Sequence, residues 1–278
     1  MSCLREHVKA RFEKPPEYPT RFHVPDELVL WEVAFPGYRP PYYVSPVVLA
    51  NDSTRKQGGW ADPEDVAAVA VPTSSFCGAP RLDGAGRPLN PVGRTGMAGR
   101  GLLGRWGANH AADPIITRVN RSAGALELLA VERRDNRQWA IPGGMVDEGE
   151  EVSRTLAREL REETGVALDM ATARLIYRGY VDDPRNTDHA WMETTAKHLQ
   201  LSAEVADRME LKAGDDARRV RWLVLVPETM RGLYASHCDL VRAALREMEH
   251  QPFIEVVAKE LAERLLRSLA AVPSKGDA

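Results

Sequence analysis

The sequence predicts an α+β protein: an α/β/α sandwich core with a mixed sheet, preceded by a smaller strand-containing accessory domain. Three observations point to it. About the first 110 residues are rich in Pro, Gly and Tyr, with weak helical periodicity. A glycine-dense run at 90–107 closes that region. From Pro114 onward, short apolar runs alternate with segments of helical period. The expected domains are 1–112 and 113–278.

In the first domain, Pro15-Pro16 and Pro40-Pro41 punctuate extended segments, 44–49 is expected to be a strand, and 51–59 an exposed loop. The glycine-dense run interleaves Arg94, Arg100 and Arg105. It reads either as backbone N–H groups and arginines near phosphate or as a tightly turning connector, and the missing P-loop lysine favours the connector. In the second domain, strands are expected at 115–118, 126–131, 139–141, 175–181, 191–199 and 220–226. Helices are expected at 152–164, 239–248 and 254–269. The last repeats Val257, Leu261, Leu265 and Leu269 at helical spacing, which suits packing on the core better than partner binding. Residues 273–278 are expected to fray.

Composition narrows the function. Apolar residues at 44% and charged residues at 28% suit a cored, soluble chain. A net charge of -3 argues against nucleic-acid binding through a broadly basic surface. No apolar run is long enough to span a membrane, so no membrane contact by this chain is expected. Cys3, Cys77 and Cys238 have no metal or redox spacing, so a reducing, cytoplasmic setting is the default. The start is neither a secretory signal nor a good mitochondrial presequence, because Glu6 and Glu13 are acidic.

The chemistry is concentrated between Gly144 and Val166. Glu150 lies six positions after Gly144, and Arg158-Glu159-Leu160 eight after that. Arg161, Glu162, Glu163, Thr164 and Gly165 follow without a gap. On a helix, Glu159, Glu162 and Glu163 share an arc of about 100°. Carboxylates so placed repel one another unless cations hold them. Oxygen ligands with open water positions suit Mg²⁺, with Mn²⁺ as a substitute. Such an ion can activate water and neutralise a pyrophosphate. Arg158 lies one turn before Glu162 and can orient it, Leu156 and Leu160 can pin the helix to a sheet, and Gly165 can end it in a left-handed cap.

This stretch resembles the Nudix box at every fixed position. The resemblance implies Glu159, Glu162 and Glu163 as metal ligands, the Gly144 carbonyl beside them, and supporting roles for Glu150 and Arg158. It implies hydrolysis of a nucleoside diphosphate linked to another group. The runs Gly99–Gly107, Asn109–Arg118, Trp139–Asp147, Gly179–Asp188, Ala190–Thr194, Ala213–Ala217 and Leu233–His237 resemble the mitochondrial-type ADP-ribose pyrophosphatases of animals. They resemble equally the homologous C-terminal domain of ADP-ribose-gated, melastatin-type TRP cation channels.

That family implies Mg-dependent cleavage of ADP-ribose to AMP and ribose 5-phosphate. His110, Ile141, Asp183, Arg185, Tyr234, Ser236 and His237 become substrate-contact candidates. Arg185 would act as a phosphate clamp, Tyr234 as a stacking surface and Ile141 as an apolar wall. Simpler alternatives stay open: Arg185 pairing with a neighbouring aspartate, Tyr234 in the core, His110 and His237 ordering loops or helix ends, Ser236 as a helix cap. The general base is open among Asp215, Asp216 and Glu193. The enzyme could be free-standing, and then mitochondrial, or the catalytically active C-terminal domain of a tetrameric TRP-type channel, on its cytosolic face; the alternative function is a non-catalytic ADP-ribose sensor gating such a channel. Sensors of this family have lost box glutamates, and here all three are present.

Overall fold

The computed structural model describes residues 7–70, 72–147, 149–214, 217–251 and 254–270. In chain order the elements are α1 (Lys9–Phe12), β1 (Tyr42–Val44), α2 (Pro46–Ala50), β2 (Ala98–Gly101), β3 (Gly107–Asn120), β4 (Ala125–Arg133), β5 (Trp139–Ala140) and β6 (Gly144–Met145). They continue with α3 (Val152–Thr164), β7 (Arg174–Tyr180), β8 (Ala190–Leu201), α4 (Ala203–Ala206), β9 (Ala217–Val224), α5 (Pro227–Arg231), α6 (His237–Met248) and α7 (Val256–Ala270). The chain divides into two compact units, 1–110 with 178–194, and 111–177 with 195–278. Among the described residues no helix is long and apolar enough to cross a membrane.

The first unit is built more on polar anchoring than on sheet. A parallel pair, β1 with β2, is its small sheet. Residues 44–49 are not a strand beyond Val44: Ser45 caps α2 by accepting from the Val47 N–H, and Pro46 at the first turn fits a helix start. The three arginines of the glycine-dense run are used inside this unit. Arg94 donates to the carbonyls of Leu28, Leu30 and Val33, with the Trp31, Tyr38 and Phe35 rings around its guanidinium. Arg100 donates to the Asp62 and Gly104 carbonyls, and Arg105 pairs with the Asp62 carboxylate at 2.8 Å. The run is a close-packed connector. A Cβ on Gly96, where φ is +79°, would lie 2.0 Å from the Phe22 carbonyl oxygen.

Residues 178–194 group with this unit, although the sequence places them in the second domain. The cause is buried hydrogen bonding. Asp188 accepts from the Thr95 N–H at 2.7 Å, the Thr95 hydroxyl at 2.8 Å and the Tyr38 hydroxyl at 2.7 Å. Burial pushes its carboxyl up to about 6. Thr187 donates to the Gly99 carbonyl at 2.6 Å.

The second unit is the sandwich. Its sheet runs β5-β4-β3-β8-β7, with β6 added on β3 and β9 on β4; β3, β7 and β8 also contribute residues to the first unit. Neighbouring residues face opposite ways. Ile115, Leu128 and Ala130 pack with α6 and α7, whereas Ile116 and Leu129 pack with Leu156 and Leu160 of α3. Burying each such leucine contributes about 1.5–3 kcal/mol. Pro114 is tolerated in β3 because it lies between the stretch paired with β6 and the stretch paired with β4. The last helix buries Ala258, Ala262, Leu265 and Leu269 in the core, as the packing reading expects, while Val257 stays half-exposed.

Candidate active site

The box helix α3 begins and ends on its own chemistry. The Glu151 side chain caps the start by accepting from the Arg154 N–H at 3.2 Å. Gly165, with φ 73°, closes the helix in the left-handed conformation. The Lys212 and Gly214 N–H groups then bond the Thr164 and Glu163 carbonyls at the end of the helix. A strand pair, Ala111 with Met145 and Ala112 with Gly144, fixes the glycine turn at the front of the box.

Arg158 is the hub of the carboxylates. Its Nη1 donates to Glu159 at 2.7 Å and Glu162 at 3.2 Å. Its Nη2 donates to Glu150 at 3.0 Å and to the Met145 carbonyl at 3.3 Å. The Thr155 hydroxyl adds a 2.8 Å bond to Glu150. Glu163 accepts from the Gly143 N–H at 3.0 Å. Glu159 is buried and Glu162 exposed. Burial pushes the Glu159 carboxyl above its ordinary value; Arg158 opposes the shift, and the Glu162 and Glu150 charges add to it. The same guanidinium hydrogen bonds hold the Glu150 carboxyl down at about 2.

The Glu150 shift makes an acid-stability prediction. A carboxyl with its folded pKa below the unfolded value adds stability that is full above about 4.5 and lost as pH falls through about 2. Chemical-denaturation midpoints measured between those pH values should fall with pH, and Glu150→Gln should flatten the slope. An unchanged slope would show that the Arg158 contact contributes nothing.

The donor chemistry fits a hard divalent cation. Gly144 has no side chain, and a Cβ there would lie 2.5 Å from the Glu159 carboxylate, so the backbone and this carboxylate form one close cradle. Among the described residues no group of three or more His, Cys, Asp or Glu side chains is gathered as a metal cluster. Arg158 compensates Glu159 and Glu162, and Glu163 accepts from the Gly143 N–H.

The other sequence candidates fall into separate groups. In the second unit, Ile141, Tyr234, Ser236 and His237 gather around β5. His237 Nδ1 accepts from the Ile141 N–H at 2.9 Å, and the Tyr234 N–H donates to the Trp139 carbonyl at 2.8 Å. Ala235 between them takes a positive φ of 44°, rare for a residue with a side chain. The Ile141 side chain is in the core rather than on an open wall. Tyr234 packs with Val131, Ala140 and Ala217 and lies 4.2 Å from the Arg133 guanidinium. Ser236 occupies the cap position of α6 without a capping side-chain bond.

In the first unit, Arg185 forms a two-pronged pair with Asp183, both bonds at 2.8 Å, as the simpler sequence alternative expects. His110 and Glu193 meet there too, at 3.5 Å. Asp215 and Asp216 lie outside the described residues. Sequence reasoning missed Arg133, Ser75 and Phe76, which act through partners far along the chain, Tyr234 for the first and Glu193 for the other two; no local pattern signals such contacts.

Comparison with known proteins agrees with this architecture. Residues 24–107 match the NUDT9-like N-terminal domain and residues 109–226 the NUDIX domain. The Caenorhabditis elegans protein named nudix hydrolase 6 is 45% identical over 80% of this chain and 88% of its own. The mitochondrial ADP-ribose pyrophosphatase of Rattus norvegicus is 40% identical over 85% of this chain and 77% of its own. A Nematostella vectensis transient receptor potential cation channel, subfamily M member-like 2, is 41% identical over 84% of this chain, which spans only 17% of that channel. With the box geometry and the first two relatives matched over most of their length, the chain belongs to the Nudix hydrolase family.

Proposed function

We propose that this chain hydrolyses the pyrophosphate of ADP-ribose to AMP and ribose 5-phosphate with Mg²⁺, Mn²⁺ serving as a substitute. The carrying observation is the cradle formed by Gly144 and Glu159, with Arg158 tying Glu159 and Glu162 together. The likeness to the rat mitochondrial ADP-ribose pyrophosphatase supports the choice of substrate. Glu159, Glu162, Glu163 and the Gly144 carbonyl would hold the metal. When bound, it supplies an activated water and charge neutralisation at the pyrophosphate. Glu150 anchors Arg158, and Arg158 keeps two carboxylates in register. His110, Asp183, Arg185, Tyr234, Ser236 and His237 are assigned to the substrate. Asp183 holds the Arg185 guanidinium along its Nε–Nη2 edge, and phosphate oxygens would have to meet the remaining N–H groups. His237 and Tyr234 brace the strand that leads into the glycine turn.

The test is a time course with ADP-ribose in large excess over protein, with magnesium. AMP and ribose 5-phosphate should appear in equal amounts over many turnovers, at a kcat of about 1 s⁻¹ or above. Tight binding by calorimetry with ADP-ribose recovered intact after hours would replace this reading with that of a non-catalytic sensor.

A further inference from the structure

Glu193 is fully buried in the first unit, and both its oxygens are occupied. Oε1 accepts from the Ser75 hydroxyl at 2.5 Å and from the Trp191 indole N–H at 2.8 Å. Oε2 accepts from the Phe76 N–H at 2.7 Å and lies 3.5 Å from His110 Nε2. Burial pushes this carboxyl up, but the His110, Ser75, Phe76 and Trp191 donors outweigh burial and hold it below its ordinary value. A carboxylate so engaged is ionised at neutral pH and has little capacity to take a further proton. That makes it a poor general base.

The same arrangement acts on His110. Its ring lies parallel to Phe76, with centroids 4.3 Å apart and planes 5° apart, and the Arg178 guanidinium is 4.1 Å from the Phe76 centroid. The ring plane is therefore held. Nε2 is shut off from solvent, and the group facing it, at 3.5 Å, is the Glu193 carboxylate. An acceptor-only neighbour requires a hydrogen on Nε2. In neutral imidazole the lone pair is then on Nδ1, which has no partner among the described residues and belongs to a side chain 20% exposed. In β3, His110 is followed by Ala111 and Ala112, the residues paired with Met145 and Gly144.

We propose that Glu193 is a positioning residue. It fixes His110 in the tautomer protonated at Nε2, so that Nδ1 accepts a hydrogen bond from a hydroxyl or amino donor of the substrate. A phosphate oxygen, being an acceptor, is not the group it recognises. The identity of that substrate rests on the ADP-ribose reading; the tautomer does not.

Two measurements on the full chain separate these. Nitrogen-15 NMR of the ligand-free protein, with His110 assigned by its loss in His110→Phe, should show the hydrogen on Nε2. A hydrogen on Nδ1 would overturn the proposal whatever the substrate. In steady-state kinetics with ADP-ribose, His110→Phe keeps the ring stack but loses the acceptor. KM should rise about tenfold, the size of one lost hydrogen bond, and by more than any change in kcat. Glu193→Gln should raise KM similarly and mix the tautomers. The double variant should be no worse than His110→Phe alone, because one residue acts through the other. Additive losses would make Glu193 merely structural and sink the proposal. If Glu193→Gln does not fold, the wild-type tautomer and His110→Phe still decide. ADP-ribose analogues sort the donor. With hypoxanthine in place of adenine, a vanished His110→Phe penalty identifies the amine, and a persisting one identifies a hydroxyl. If ADP-ribose is not turned over at all, the substrate assignment fails, and the tautomer decides the positioning role.

Discussion

Glu162→Gln is expected to lower kcat for ADP-ribose by about 100-fold or more while leaving the thermal melt almost unchanged. The side chain is 58% exposed, and its charged partner among the described residues is Arg158 at 3.2 Å. An exposed pair of that kind contributes little to folding. The substitution keeps the shape and removes the charge, so a large kinetic loss cannot be blamed on unfolding. On the proposed function, what it removes is one anionic oxygen from the set that would hold a divalent ion against a doubly charged substrate. Raising magnesium should recover part of the loss if the defect is metal affinity. The measurement is kcat and KM as functions of free magnesium, with wild type in excess chelator as the reference. Wild-type turnover in the variant, or full activity in chelator, would remove the metal from the mechanism.

The sandwich was readable because its signals are local. Helix α3 spans the residues that the periodicity indicates, since Leu156 and Leu160 mark its buried face and Gly165 its end. Strands β4, β7, β8 and β9 fall within a few residues of the apolar runs that predict them. The first unit was far less legible. Its order depends on Arg94 reaching three carbonyls more than 60 positions away and on Asp188 reaching Thr95 and Tyr38. No periodicity encodes a buried arginine inside an aromatic ring cluster. The box glutamates were equally plain in sequence, but their state was not. Spacing puts three carboxylates on one face and Arg158 one turn before Glu162; the structure adds Arg158 compensating Glu159 as well and Gly143 engaging Glu163. The same limit explains Glu193, which looks like a base candidate by residue type and is committed to four neighbours by position.

Gly144→Ala is expected to be as damaging to turnover as loss of a box glutamate, through sterics alone. Its backbone is not in the left-handed region, so alanine is conformationally acceptable there. The obstacle is space: the new Cβ would lie 2.5 Å from the Glu159 carboxyl carbon and from both its oxygens. The carboxylate is the movable end of a side chain, so it should swing away and break its 2.7 Å bond to Arg158. The fold should survive at a cost of about 1–3 kcal/mol for an overpacked methyl group. Turnover should fall by about 100-fold or more, because Glu159 would leave the position from which, on the proposed function, it would share a cation with Glu162. Glu159→Gln alone should fall comparably. In the double variant the losses should not multiply, since both changes disable one carboxylate. The readouts are kcat/KM with magnesium saturating and a urea midpoint for each variant. Wild-type kcat/KM in folded Gly144→Ala would mean that Glu159 does not work from the position it holds beside Gly144. Multiplying losses would mean that Gly144 contributes separately, through its carbonyl.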